Sequence, residues 1–406
     1  MYAHGAKKFF TWFDHKSWYP LGRPVGTTIY PGMQFTAVYL LEYFPLLKNW
    51  SLNDVCCYIP AWFGVAASAF VGLMAYEATL PENAQHTLID WISDAVQGRY
   101  RSTNTNTDKS SAQNNTALTH PWLSPAVKAG MAAMAMMAIV PAHLTRSMGG
   151  GFDNESIAVT AMCMTFYCWM RSLRSTNKIP MTVVWGVATG LAYFYMVAAW
   201  GGFIFVLNLI GLHAAFLVAI GRFSDRVYVS YSLFYVIGTA LAMQIPVVGK
   251  SPLKSLEQLG PCGIFLGYQI LQVCEVIRRK QNLSRADAWK LRIKVSVIAG
   301  IAGAILAILL MPKGYLGPLS SRVRGLFVQH TRTGNPLVDS VAEHQPASPK
   351  GKPWPRLLLM QNSLFILTII HSLYAFTHTT LQPTFNIYTM FVQLHQSDFY
   401  LSQPFT

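Results

Sequence analysis

Acidic side chains are scarce in this chain: 17 of its 406 residues are Asp or Glu, against 31 Lys and Arg. Charged residues of both signs make up only 12%, about half the share of an ordinary soluble domain. That is too few to give many long helices the polar face that water demands. Also missing are a CxxC pair, a zinc-type spacing and an HExxH sequence. The six cysteines, Cys56, Cys57, Cys163, Cys168, Cys262 and Cys274, fall mostly inside apolar runs. They read as packed, reduced thiols, which excludes a disulfide scaffold and a thiolate metal site. No internal repeat is present. The opening stretch, "MYAHGAKKFFTWFDHKSWYPLGR", is aromatic and basic and reads as neither a secretory leader nor a span. The net charge of +14 does not point to nucleic acid, because the basic residues sit in loops between apolar runs.

What is present in abundance is apolar: 52% of the chain is hydrophobic. Apolar stretches recur at 55–75, 125–142, 157–171, 179–199, 202–220, 227–247, 261–277, 294–311 and 357–376. Most approach the roughly 20 residues that cross a bilayer core as a helix. The pattern predicts an all-α polytopic membrane protein with about nine transmembrane helices. The segment 31–47, "PGMQFTAVYLLEYFPLL", is short, contains Pro45 and would bury Glu42 in lipid at a cost of about 3 kcal/mol. It is expected to lie along the interface as a helix rather than to span.

Loop charges give the sidedness, because Lys and Arg favour cytoplasmic loops. The loop after 261–277 carries Arg278, Arg279, Lys280, Arg285, Lys290, Arg292 and Lys294. Those after 157–171 and 202–220 carry Arg171, Arg174 and Lys178, and Arg222 and Arg226. Alternating spans put these three on one side, the cytoplasmic one. The stretch holding Asp153 and Glu155, the "AWGG" of 199–202, the loop 248–260 and the loop 312–356 then face the other way. The Ser/Thr/Asn-rich insert 79–122 reads as a disordered cytoplasmic loop, so its Asn114-Asn115-Thr116 sequon would go unused.

Within "RSMGGGFDNES", 146–156, Asp153 and Glu155 admit two readings. Two carboxylates on a short irregular segment supply hard oxygen ligands to Mg²⁺ or Mn²⁺, and glycines 149–151 let the backbone turn tightly enough to present them. Alternatively, Asp153 or Asn154 simply caps a helix starting near Ser156. The second outward acidic stretch, "NPLVDSVAEHQP" at 335–346, is by itself an ordinary polar loop. Arg322, Arg324 and Arg332 can meet phosphates or merely be solvated. Trp200 can stack on a ligand or sit in an interfacial aromatic belt. His143 and His344 read as structural.

Four stretches, taken together and in order, carry a resemblance. They are "FFTWFDHKSWYPLGRPVGTTIYPGMQ" (9–34), "IVPAHLTRSMGGGFDNES" (139–156), "YFYMVAAWGGFIFVLNLI" (193–210) and "HTRTGNPLVDSVAEHQP" (330–346). The chain resembles the catalytic subunit of oligosaccharyltransferase, in wording most like the single-subunit protist branch, over roughly residues 3–346 apart from 79–122. The resemblance implies a GT-C type glycosyltransferase membrane domain in the endoplasmic reticulum, with its motifs lumenal. The implied reaction transfers a preassembled oligosaccharide from dolichyl pyrophosphate to the asparagine of Asn-x-Ser/Thr in a nascent polypeptide, without obligatory further subunits. It assigns a divalent metal, Mn²⁺ or Mg²⁺, to Asp153 and Glu155. It gives a functional role to Arg146, seven residues before Asp153; Trp200, in one of the matching stretches, is expected to support the substrate. It maps a Ser-Val-x-Glu motif onto Ser340, Val341, Ala342 and Glu343, whose glutamate hydrogen-bonds the acceptor carboxamide.

The implied organisation runs as follows. Residues 1–54 form part of the first lumenal loop with its interfacial helix, and 55–311 form the transmembrane bundle. A lumenal loop, 312–356, carries the Ser-Val-x-Glu motif, and a divergent tail, 357–406, holds one apolar span. A "DPWFN"-like stretch after a first span and the "WWDYG" motif of a C-terminal lumenal domain have no counterpart, so the chain as written is expected to transfer no glycan. A noncatalytic relic that binds lipid-linked sugar or a partner subunit is the alternative. A secondary transporter is a weaker one, since it would show paired repeats and midplane charges.

Overall fold

A computed structural model describes residues 2–17, 19–80, 125–282 and 284–310. The expected loop 312–356, the tail 357–406 and nearly all of the insert 79–122 lie outside the described residues, as do Ser340, Val341, Ala342 and Glu343. What is described is helical apart from one short ribbon, in which Phe13–Asp14 pairs antiparallel with Arg23–Pro24.

Ahead of the bundle come α1 (Gly5–Phe10), α2 (Val25–Thr28) and α3 (Gly32–Tyr43), followed by a 3₁₀ turn at Pro45–Leu47. Helix α3 covers most of the segment 31–47, expected to be helical and to lie along the interface. Pro45 cannot supply the next helical N–H, which is where the apolar run breaks. The bundle is built from α4 (Leu52–Thr79), α5 (Pro125–Ile139), the short α6 (Pro141–Arg146), α7 (Asn154–Ser172), α8 (Ile179–Ala199), α9 (Phe203–Ala219) and α10 (Asp225–Ala242). After a single turn, α11 (Ser251–Lys254), come α12 (Leu256–Gln281) and α13 (Arg285–Leu310).

Two boundaries differ from the sequence reading. The run 125–142 is not one helix: α5 ends at Ile139 and Pro141 starts α6, because proline fits the first turn of a helix but not its interior. The basic segment after 261–277 is not a loop. Helix α12 continues to Gln281, Asn282 closes it in the left-handed region at φ 49°, and Ser284 accepts the Asp287 N–H at 3.2 Å to open α13. Asparagine tolerates that backbone, and serine is a preferred cap. Most of those cations therefore sit on helix ends.

Among the described residues, three helices are both long and apolar enough to cross a membrane: α4, α8 and α12. Two more, α5 and α9, are apolar but shorter. Helix α7 is less apolar because neighbouring helices cover it nearly all round, leaving little of it to face lipid. Its hydroxyls are satisfied within the protein, Thr165 donating to the Ala161 carbonyl of its own helix at 2.7 Å and Thr160 to the Phe63 carbonyl of α4 at 2.7 Å. The count of about nine spans stays an expectation; among the described residues three helices qualify by length and composition.

Small residues set the helix spacing. Gly64, Ser68 and Gly72 recur every four residues on α4. A Cβ added at Gly72 would lie 2.9 Å from the Gly130 carbonyl oxygen of α5, and one at Gly130 would lie 2.9 Å from that of Gly72. Close helix approach through small-xxx-small stripes is the packing available where lipid removes the hydrophobic drive. The chain winds up and down, α4 parallel to α7 and antiparallel to α5. One end therefore gathers the start of α4, residues 140–154 and the turn 200–202. The other gathers Arg171, Arg174, Arg222, Arg226 and the α12–α13 turn, as the alternation of loop charges requires.

Candidate functional site

Asp153 is the N-cap of α7, in extended backbone at φ −126° and ψ 152°, with its Oδ1 accepting the Asn154 N–H at 2.6 Å. Glu155 follows in the first turn, where carboxylates gain from the helix dipole. The capping reading is thus correct for Asp153, yet it does not use up the carboxylate. Arg146, the last residue of α6, donates from Nη1 to Asp153 Oδ2 at 3.3 Å and sets Nε 2.7 Å from Glu155 Oε2. One guanidinium spans both acids. The side chains are 24% exposed for Arg146, 49% for Asp153 and 29% for Glu155, so solvent screens the pairs and a ligand can approach them.

The loop carrying these groups is pinned from two sides. Gly150, at φ 90°, takes the left-handed backbone open to glycine, and its N–H reaches the Cys57 carbonyl of α4 at 2.8 Å. On the Arg146 side, α6 presses into α4 at Gly64, where an added Cβ would come within 2.5 Å of Ser147 Cβ. His143 donates from Nε2 to the Gly64 carbonyl at 3.1 Å. Burial holds its imidazole below the ordinary value of 6.5, partly offset by that hydrogen bond, so the neutral ring is the one that fits. His143 is structural, as expected.

Trp200 lies at the same end. It closes α8 in extended backbone at φ −157°, its N–H bonding the Met196 carbonyl at 3.0 Å. Its ring folds over the following turn so tightly that a Cβ on Gly202 would sit 1.9 Å from it, and a Cβ on Gly201 would sit 2.8 Å from the Tyr30 hydroxyl. Gly32, opening α3, abuts the Ala198 carbonyl, 2.7 Å from its virtual Cβ. The N-terminal segment is thereby seated on the end of α8. The two halves of the site meet through Asn154, whose Nδ2 donates to the Ala199 carbonyl at 3.0 Å.

The structure therefore brings Arg146, Asp153, Glu155 and Trp200 to one end of the bundle. Sequence reasoning weighed Asn154 only as a cap and missed its link to Ala199, and it missed Gly64. The glycine was detectable as the first member of the 64–68–72 stripe. The Asn154 link was not, since its partner lies 45 residues away. Two carboxylates form a donor set that suits a hard divalent cation. Among the described residues, no group of three or more His, Cys, Asp or Glu comes together; Asp153 and Glu155 by themselves are hard oxygen donors of the kind Mg²⁺ or Mn²⁺ takes.

A family model described as "Oligosaccharyl transferase STT3, N-terminal" matches residues 126–352. That range includes Arg146, Asp153, Glu155 and Trp200, and also 340–343. The dolichyl-diphosphooligosaccharide–protein glycosyltransferase subunit STT3 of Dictyostelium discoideum is 34% identical, over 85% of this chain and 41% of its own length. The corresponding Saccharomyces cerevisiae subunit is 32% identical, over 86% and 41%. The chain thus spans about two fifths of the length of these relatives. Among solved structures, an apo oligosaccharyltransferase from Archaeoglobus fulgidus matches with a TM-score of 0.61 at 15% identity, over 96% of this chain and 41% of that one. A second, the archaeal enzyme AglB from the same organism in complex with an inhibitory peptide and a dolichol-phosphate, gives 0.59 at 14%, over 99% and 43%. At such identities the likeness is one of fold.

Proposed function

Because the chain belongs to the oligosaccharyl transferase STT3 family, we propose that it transfers a preassembled oligosaccharide from a dolichyl pyrophosphate donor to the asparagine of Asn-x-Ser/Thr in a nascent polypeptide. The observation that carries this reading is the pair Asp153 and Glu155 held by Arg146 at one end of the bundle. Support for the donor and acceptor classes comes from the archaeal enzyme of like fold, bound to a peptide and a dolichol-phosphate.

In this reading Asp153 and Glu155 hold Mn²⁺ or Mg²⁺, which supplies electrostatic stabilisation to charge developing on the pyrophosphate leaving group. Arg146 aligns the two carboxylates and adds a fixed positive charge beside them. Trp200, its ring held down by the turn at Gly202, offers a flat face to the ligand at the same end. Glu343 accepts the N–H groups of the acceptor carboxamide. That matters because an amide nitrogen is a poor nucleophile while its lone pair is delocalised, and a carboxylate bonded to its hydrogens polarises the amide and frees it. The site end faces the lumen of the endoplasmic reticulum and the Arg-rich end the cytoplasm, consistent with the distribution of Lys and Arg. No observation favours a noncatalytic relic or a transporter.

Joined to the remaining length that its relatives carry and purified in lipid nanodiscs, the chain should move glycan from a lipid-linked oligosaccharide to a fluorescent Asn-x-Thr peptide in the presence of Mn²⁺, whereas the chain as written should not. A matched Gln-x-Thr peptide should stay unmodified. Absence of transfer to the first peptide, or equal transfer to both, would overturn the reading.

A further inference from the structure

Resting on the transfer reading above, we infer that Asn154 is a positioning residue: it locks the Asp153–Glu155 carboxylates to the Trp200 turn.

The positive N-terminal end of α7 and the negative C-terminal end of α8 lie side by side, and each leaves backbone groups without helical partners. Asn154 serves both. Its own N–H is taken by Asp153 Oδ1 at 2.6 Å, which sets the Asp153 rotamer. Its side-chain Nδ2 donates to the Ala199 carbonyl at 3.0 Å, the peptide group that joins Ala199 to Trp200. A single residue therefore fixes the register between the carboxylates and the aromatic ring. The residue type follows from the partner. A carbonyl at a helix C-terminus accepts only, so the side chain must donate, and it must do so without adding charge between two acids. An amide meets both conditions, whereas an aspartate of the same shape would aim a carboxylate oxygen at the carbonyl.

The other sides of the Ala199 peptide are already constrained. Gly32 abuts the preceding carbonyl, 2.7 Å from its virtual Cβ, and Gly202 leaves no room beside the Trp200 ring, at 1.9 Å. A loosened Asn154 contact would therefore remove the hydrogen bond that ties the turn to the acidic loop.

The test is a double-mutant cycle with an independent structural readout. Asn154→Ala should lower kcat/KM about five- to tenfold, the size of one lost hydrogen bond to positioned groups. In a Trp200→Ala background the same change should cost no more than about twofold, because the link no longer has a ring to position. Fully multiplying losses would overturn the assignment. Asn154→Asp keeps the shape and removes the donor; it should lose at least as much as Asn154→Ala, and wild-type kcat/KM in that variant would also overturn it.

Hydrogen exchange measured on the protein in nanodiscs gives the arm that needs no turnover. Amides of 199–203 should exchange faster in Asn154→Ala, with the thermal midpoint of the bundle unchanged. Exchange indistinguishable from wild type would overturn the link. If the wild-type protein transfers no glycan at all, the exchange result still decides the role of Asn154, and only the transfer reading fails.

Discussion

Arg146 lies against both acids of the site, 3.3 Å from Asp153 Oδ2 and 2.7 Å from Glu155 Oε2. The three residues come from two helices and the loop between them, so their geometry depends on that loop being held. Glu343 is assigned a different task, at the acceptor amide, and this difference can be measured. Asp153→Ala and Glu155→Ala should weaken metal binding, so excess Mn²⁺ should restore part of their activity. Glu343→Gln should be slowed by roughly ten- to a hundredfold, the value of one ionised hydrogen bond at the transition state, and should not respond to Mn²⁺. Turnover of an Asn-x-Thr peptide across a Mn²⁺ titration distinguishes the two. Rescue of Glu343→Gln alone would mean the roles are reversed.

Arg146→Lys keeps the charge but loses the planar fork that reaches two carboxylates at once. It should behave more like Arg146→Gln than like wild type. Activity of the lysine variant within about twofold of wild type would show that charge alone suffices; a loss of one hydrogen bond to an ionised group predicts about tenfold or more.

At the opposite end, Glu77 pairs with both Arg171 and Arg174, and its side chain is only 6% exposed. Removing one member of a buried ion cluster strands the others and costs about 3–5 kcal/mol. Glu77→Ala should therefore lower the thermal midpoint of the detergent-solubilised protein sharply. Replacing the whole cluster with Leu at 77, Met at 171 and Leu at 174 should recover most of the loss. A single Glu77→Ala variant as stable as wild type would show that the cluster contributes nothing.

The α4–α5 crossing has no space for a side chain at its centre, because Gly72 and Gly130 each face the other's carbonyl at 2.9 Å from a virtual Cβ. Gly72→Val should cost about 1–3 kcal/mol by overpacking, read as a lower unfolding midpoint. The same substitution at Gly263, where nothing lies within 4 Å, should be better tolerated.

His143 carries a pH signature. Its folded-state value lies below the ordinary 6.5 because burial disfavours the charged ring. A depressed value means its contribution to stability is present above 6.5 and is lost as pH falls through the folded-state value. Wild type should lose more stability than His143→Gln between pH 7.5 and pH 5, measured by thermal unfolding. An equal loss in both would exclude the histidine as the source.

By itself the sequence determined the class of molecule and, among the described residues, the position of the long helices and the end at which their connecting basic residues gather. Those properties depend on local composition: apolar runs seek a lipid or protein interior, and basic residues keep to one side. It also marked Asp153, Glu155 and Arg146, because acids are rare here and these two stand on a glycine leash. The tertiary structure decided what such patterns cannot encode. It made Asp153 both a cap and half of a carboxylate pair, closed the basic segment after α12 into helix ends, and split the 125–142 run at Pro141. It joined Asn154 to Ala199, set α6 against Gly64 and folded the Trp200 ring over Gly202. These outcomes depend on distances between residues far apart in the chain, which packing fixes only once the helices have met.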